Sequence, residues 1–134
     1  PNPGWYLQQR CCHRRRVSLF FEFHDARVAS VLLEPGRTVI SFSHLYIFEE
    51  VDSKGGKFYS GELELGPAQI SGSFPAEEEN DLGSGALMVG EELFQGTVPL
   101  PLETELPIRL TLDFLWGSRF ELKAVGAILR MREI

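Results

Sequence analysis

An all-β domain is predicted by three features of this 134-residue chain. Apolar and polar residues alternate with a period of two, turn dipeptides recur about every ten residues, and almost no stretch keeps the apolar spacing of a helix. About eight strands at this spacing imply an antiparallel sandwich or a small barrel. Residues 17–134 form the single domain, and residues 1–16 read as a loosely packed or disordered tail. The 43% hydrophobic and 24% charged fractions are those of an ordinary globular protein, and thirteen glycines and eight prolines supply the turns.

Residues 26–33 alternate, then meet Pro35-Gly36, a type II turn signal in which proline presets φ and glycine accepts a positive one. Residues 38–48 place Ile40, Phe42, His44, Tyr46 and Phe48 on one face and Val39, Ser41, Ser43, Leu45 and Ile47 on the other. The two runs form an antiparallel hairpin. Residues 49–57, with Gly55-Gly56, are a solvated turn before a strand at 58–65. Gly66-Pro67 turns the chain again into a short strand at 68–74, and the acidic segment 75–85 is an exposed loop.

A shift of 24 residues aligns Gly61 with Gly85, Leu63 with Leu87, Gly66 with Gly90, Gly72 with Gly96 and Pro75 with Pro99. Both copies read as hairpins placed similarly in one sheet. Residues 108–116 and 120–128 flank Gly117-Ser118, a two-residue hairpin signal, with Ile108, Leu110, Leu112, Phe114 and Trp116 on the core face. Residues 127–134 continue as an edge strand whose Arg130, Arg132 and Glu133 discourage further pairing; a short terminal helix is the alternative. Glycines at 61, 66, 72, 90, 96 and 126 mark bends that let a sheet curl.

The formal charge of −6 hides an asymmetry, because Arg10, Arg14, Arg15 and Arg16 lie before the first acid, Glu22. From Val17 onward nine basic residues face nineteen acidic ones, a balance of −10. Such a body repels phosphate backbones, which argues against nucleic acid and toward a basic protein partner. Cys11 and Cys12 are adjacent and ill placed for a disulfide with each other, so a reducing, cytoplasmic setting is expected. With His13 they are too close in sequence to wrap a zinc ion. RRR at 14–16 followed by an apolar stretch of about seven residues is too short for a secretory signal or a membrane span.

His24, Asp25 and His44 form the one set of residues with candidate chemistry. Hairpin pairing brings the two histidines onto neighbouring strands, where two imidazoles and a carboxylate could take a divalent metal or an Asp-oriented histidine could act as a base. Against catalysis, no nucleophile motif, HExxH or phosphate loop is present. The structural alternative has Asp25 capping amides at the strand entry and His24 bonding a backbone group. Glu77, Glu78, Glu79 and Asp81 lack calcium-loop spacing and read as an electrostatic landing site for a basic partner. Trp116, Phe94, Phe58 and Tyr59 lie near turns, where they line a ligand pocket or belong to the core.

Phe23, His24, Asp25, Ala26, Val28 and Val31 resemble the F-H-D-A/S-x-Φ-x-x-Φ start of small β-rich bacterial proteins, some of them immunity proteins of polymorphic-toxin systems. The likeness covers about twenty residues. It implies a compact cytoplasmic protein that works by binding. The expectation is therefore a non-enzymatic protein-binding module without cofactor or metal, in its sharper form an acidic immunity protein that neutralises a basic toxin. Two alternatives stand beside it: a β-barrel carrier of small molecules, and an enzyme using His24, Asp25 and His44. A homo-oligomer pairing through the C-terminal edge is a further arrangement.

Overall fold

The computed structural model describes residues 18–49, 55–72, 74 and 80–134. Nine strands follow one another: β1 (Leu19–Glu34), β2 (Arg37–Glu49), β3 (Lys57–Leu65), β4 (Ala68–Gly72), β5 (Leu82–Val89), β6 (Glu92–Gln95), β7 (Thr97–Leu100), β8 (Glu103–Phe114) and β9 (Arg119–Glu133). They make one antiparallel sheet in the order β6-β5-β8-β9-β3-β2-β1-β7, with β4 also on β9, and the sheet is not closed into a barrel. Among the described residues there is no helix, and so none long and apolar enough to cross a membrane.

One face of the sheet encloses a single core. Phe21, Phe23, Ile40, Phe42 and Leu45 from β1 and β2 belong to the same buried cluster as Leu110, Leu112, Phe114, Phe120 and Leu122 from β8 and β9. Burial of side chains this large contributes about 1.5–3 kcal/mol each, the main force that curls the sheet onto itself. The two ends of the strand order are consecutive in the chain, separated by Gly96. Gly96 holds a φ of +83°, donates its N–H to Gly85 on β5 at 3.0 Å and accepts from Phe23 N–H on β1 at 2.9 Å. A residue with a Cβ adopts that conformation reluctantly, so glycine suits this junction.

The turn at Pro35-Gly36 stands as expected, with Glu34 opposite Arg37. The faces of β2 do not. Phe42 pairs with Gly61 and Leu45 with Tyr59, so two residues of β2, Ser43 and His44, oppose one of β3. This bulge reverses the phase of the alternation: Ile40, Phe42, Leu45 and Ile47 are buried, whereas His44, Tyr46 and Phe48 are only half-buried. Gly66-Pro67 does not reverse the chain either. β3 and β4 lie end to end along β9, Leu65 opposite Ala127 and Ala68 opposite Ala124. The two repeat copies therefore differ, since β5 and β6 pair with each other whereas β3 and β4 do not.

At the other hairpin Phe114 N–H bonds Ser118 O and Asp113 faces Arg119. The loop is thus Leu115-Trp116-Gly117, a three-residue turn with a left-handed third residue, which leaves Trp116 57% exposed rather than in the core. β9 is not an edge strand. β3 and β4 flank it on one side and β8 on the other over most of its length, and Arg130 and Glu133 are tied to Glu64 and Lys57.

Candidate functional site

The site grows from a distortion of β1. Phe23 and Ala26 are both fully buried although three residues apart, an odd spacing that a regular strand cannot place on one face. The chain solves this by looping His24 and Asp25 outward: Glu22 pairs with Tyr46, Arg27 pairs with His44, and four residues of β1 pass opposite the single Leu45. Asp25 carries the bend with a φ of +73°, the one positive φ of a non-glycine among the described residues. Aspartate tolerates this region better than most side chains, and such outliers concentrate where a surface has work to do. His24-Asp25 therefore lies within the first strand, not at its entry, because β1 begins at Leu19.

The side chains of His24 and Asp25 are each 62% exposed and 3.5 Å apart, from Nε2 to Oδ1. His24 Nδ1 lies 3.3 Å from the Gly83 carbonyl, so it meets a backbone group as a structural role requires. His44 has different neighbours: its Nδ1 is 3.2 Å from Ser43 Oγ, and its ring meets the edge of Phe58 at 5.9 Å. Asp25 and His44 do share a surface concavity of about 300 Å³ with Arg27, Phe58 and Asp81, but His24 does not line it. Among the described residues no group of three or more His, Cys, Asp or Glu is arranged to hold a metal ion.

Glu77, Glu78 and Glu79 lie outside the described residues. Asp81 is held by Arg27 through two hydrogen bonds, Nε to Oδ1 at 2.8 Å and Nη2 to Oδ2 at 3.3 Å. The pair fixes the start of β5 beside the β1 bend.

What sequence reasoning missed is the aromatic row next to this bend. With the phase of β2 reversed, Phe20, Phe48, Tyr46, Phe58 and His44 run ring to ring across the outer face of β1, β2 and β3. Successive centroids are 5.8, 6.0, 5.3 and 5.9 Å apart. Phe58 is 42% exposed and the others are half-buried. Tyr46 Oη accepts the Gly56 N–H, which anchors the middle of the row. Glu22 and Asp25 border it; Glu22 has no ion pair among the described residues. The signal was the polar pair Ser43-His44, two non-apolar residues in succession inside an alternating run.

No protein-family model, no curated protein and no solved structure matches the chain.

Proposed function

We propose that this chain is a protein-binding module whose contact face is the aromatic row Phe20, Phe48, Tyr46, Phe58 and His44, with Glu22 and Asp25 at its border. The observation that carries the reading is the row itself: five rings in register, left half-buried on the outer face of a sheet whose core is already complete. Such rings supply large contact area with little side-chain entropy to lose, and aromatic residues dominate binding energy in protein interfaces. Cross-strand aromatic pairs also stabilise a sheet, yet a purely structural row gains nothing from the exposure of Phe58.

Charge selects the partner. Two carboxylates beside the row, on a chain of net charge −6, favour a basic surface and accelerate its approach. Likeness to immunity proteins at residues 23–31 narrows the partner to a basic toxin neutralised in the cytoplasm. A catalytic reading draws less support, because His24 and His44 engage separate neighbours, the Gly83 carbonyl and the Ser43 hydroxyl. A carrier reading also draws less, because the concavities at hand open on the surface rather than into the core.

The test is calorimetric titration against the purified products of the adjacent genes at low and high salt. A saturable complex is expected that weakens as salt rises and weakens at least about tenfold with Phe58→Ala. Absence of binding to every adjacent product, or binding indifferent to both Phe58→Ala and Phe48→Ala, overturns the proposal.

A further inference from the structure

A second surface, away from the aromatic row, concentrates positive charge on this acidic chain. Met88, Arg109, Lys123 and Gln69 stand in register across β5, β8, β9 and β4. Arg109 and Lys123 are direct cross-strand partners, an arrangement that like charges disfavour. Five other cations are neutralised, Arg27 by Asp81, Arg37 by Glu34 and Glu64, Lys57 by Glu133, Arg119 by Asp113 and Arg130 by Glu64, whereas Arg132, near the end of β9, is in none of these pairs. Arg109 and Lys123 have no ion pair among the described residues. Glu121 is the acid nearest in register, and it bridges to neither.

Two adjoining concavities, of about 480 and 380 Å³, share Gln69, Arg109 and Lys123 in their walls. The larger adds Pro67, Pro107, Met88 and Val125. This wall is formed where the two strand systems bend: at Gly66-Pro67 between β3 and β4, and at the register shift between Thr104 and Pro107 on β8. The result is a guanidinium and an ammonium carried on neighbouring strands, an amide donor in the same walls, an apolar wall in the larger concavity and the Glu121 carboxylate in the smaller one.

We propose that this groove binds a small organic oxyanion, a phosphate monoester or a carboxylate, whose charged head lies between Arg109 and Lys123 and whose apolar part rests on Met88, Pro107 and Val125. The head relieves the repulsion between the two cations, and Arg109 offers the forked donors that oxyanions accept in pairs. Gln69 adds a neutral donor at the strand edge. Because the surrounding chain is acidic, the groove admits a small anion more readily than a nucleic-acid backbone, which would bring many phosphates against the remaining carboxylates.

The experiment is a titration of the ¹⁵N-labelled full chain with phenyl phosphate, benzoate and inorganic phosphate, read as amide shifts. Saturable shifts confined to residues 67–69, 107–109 and 123–125 are expected, with at least one aromatic probe binding about threefold or more tighter than inorganic phosphate. Which aromatic probe saturates first identifies the head group. Arg109→Gln and Lys123→Gln each weaken binding about tenfold, and Arg132→Gln leaves it unchanged. Both groove variants keep the parent's melting temperature or exceed it, because each removes one of two opposed charges. Shifts that fail to saturate, that spread equally to residues 130–132, or that persist undiminished in Lys123→Gln overturn the proposal. So does a lowered melting temperature in both groove variants, which assigns the cations to the fold.

Discussion

Glu64 shows how much a surface side chain contributes when it holds two strand systems together. Its Oε1 accepts from Arg130 on β9 at 2.8 Å and its Oε2 from Arg37 on β2 at 3.4 Å. The hydrogen bond from Arg130 is the main cause that holds its carboxyl below the ordinary value of 4.5; partial burial opposes it and the Arg37 charge reinforces it. A carboxyl with a depressed folded pKa contributes stability that is present above the unfolded value and lost as pH falls through the folded one. Stability should therefore begin to fall below about pH 4.5. Glu64→Gln should remove that part of the acid dependence while costing under about 1 kcal/mol at neutral pH, since both arginines are about half exposed to solvent. Urea unfolding at pH steps from 7 to 3 checks both: a variant whose acid limb is as steep as the parent's sinks the assignment.

At the scale of elements, the bend in β1 depends on its neighbour β5. A Cβ built on Gly85 lies 2.6 Å from Cγ of Phe23, which is 1% exposed and has nowhere to move. Gly85→Ala should cost about 1–3 kcal/mol by overpacking, read as a lower midpoint in chemical denaturation with an unchanged slope; an unshifted midpoint means that the bend tolerates displacement. Gly61, aligned with Gly85 by the 24-residue shift, does the same for Leu45, whose Cδ1 a Cβ would approach to 3.0 Å. The repeat thus marks two inward glycines beneath large side chains, not the two similarly placed hairpins expected of it. The β1-β2 turn and the core face of β8 were legible for a simple reason: Pro35-Gly36 and the run from Ile108 to Phe114 obey local rules that nothing distant contradicts. The aromatic row was not legible. Whether Tyr46 points in or out depends on the bulge at Ser43-His44, and that depends on which partners β1 and β3 present, information held more than a dozen residues away. The same applies to Gly66-Pro67, where a local turn signal yielded to the longer partner β9.

For the whole molecule, charge and topology divide the surface into unlike regions. The outer face of β1, β2 and β3 is aromatic and bordered by carboxylates, whereas the outer face of β8, β9 and β4 carries the opposed cations. Both lie on one continuous sheet, so each is held by strands that also build the common core. An open sheet ordinarily frays from its two edges independently, because an edge strand has one neighbour to lose. Here the outermost strands β6 and β7 share Gly96, so loosening at one margin pulls on the other. Amide exchange in β6 and β7 should therefore be correlated: Gly96→Val, which cannot easily hold a φ of +83°, should raise exchange at both margins together. Faster exchange in β6 alone would mean that the margins are independent. If they are coupled, a sheet without a closed ladder still behaves as though it had no loose end, because a covalent hinge replaces the missing seam.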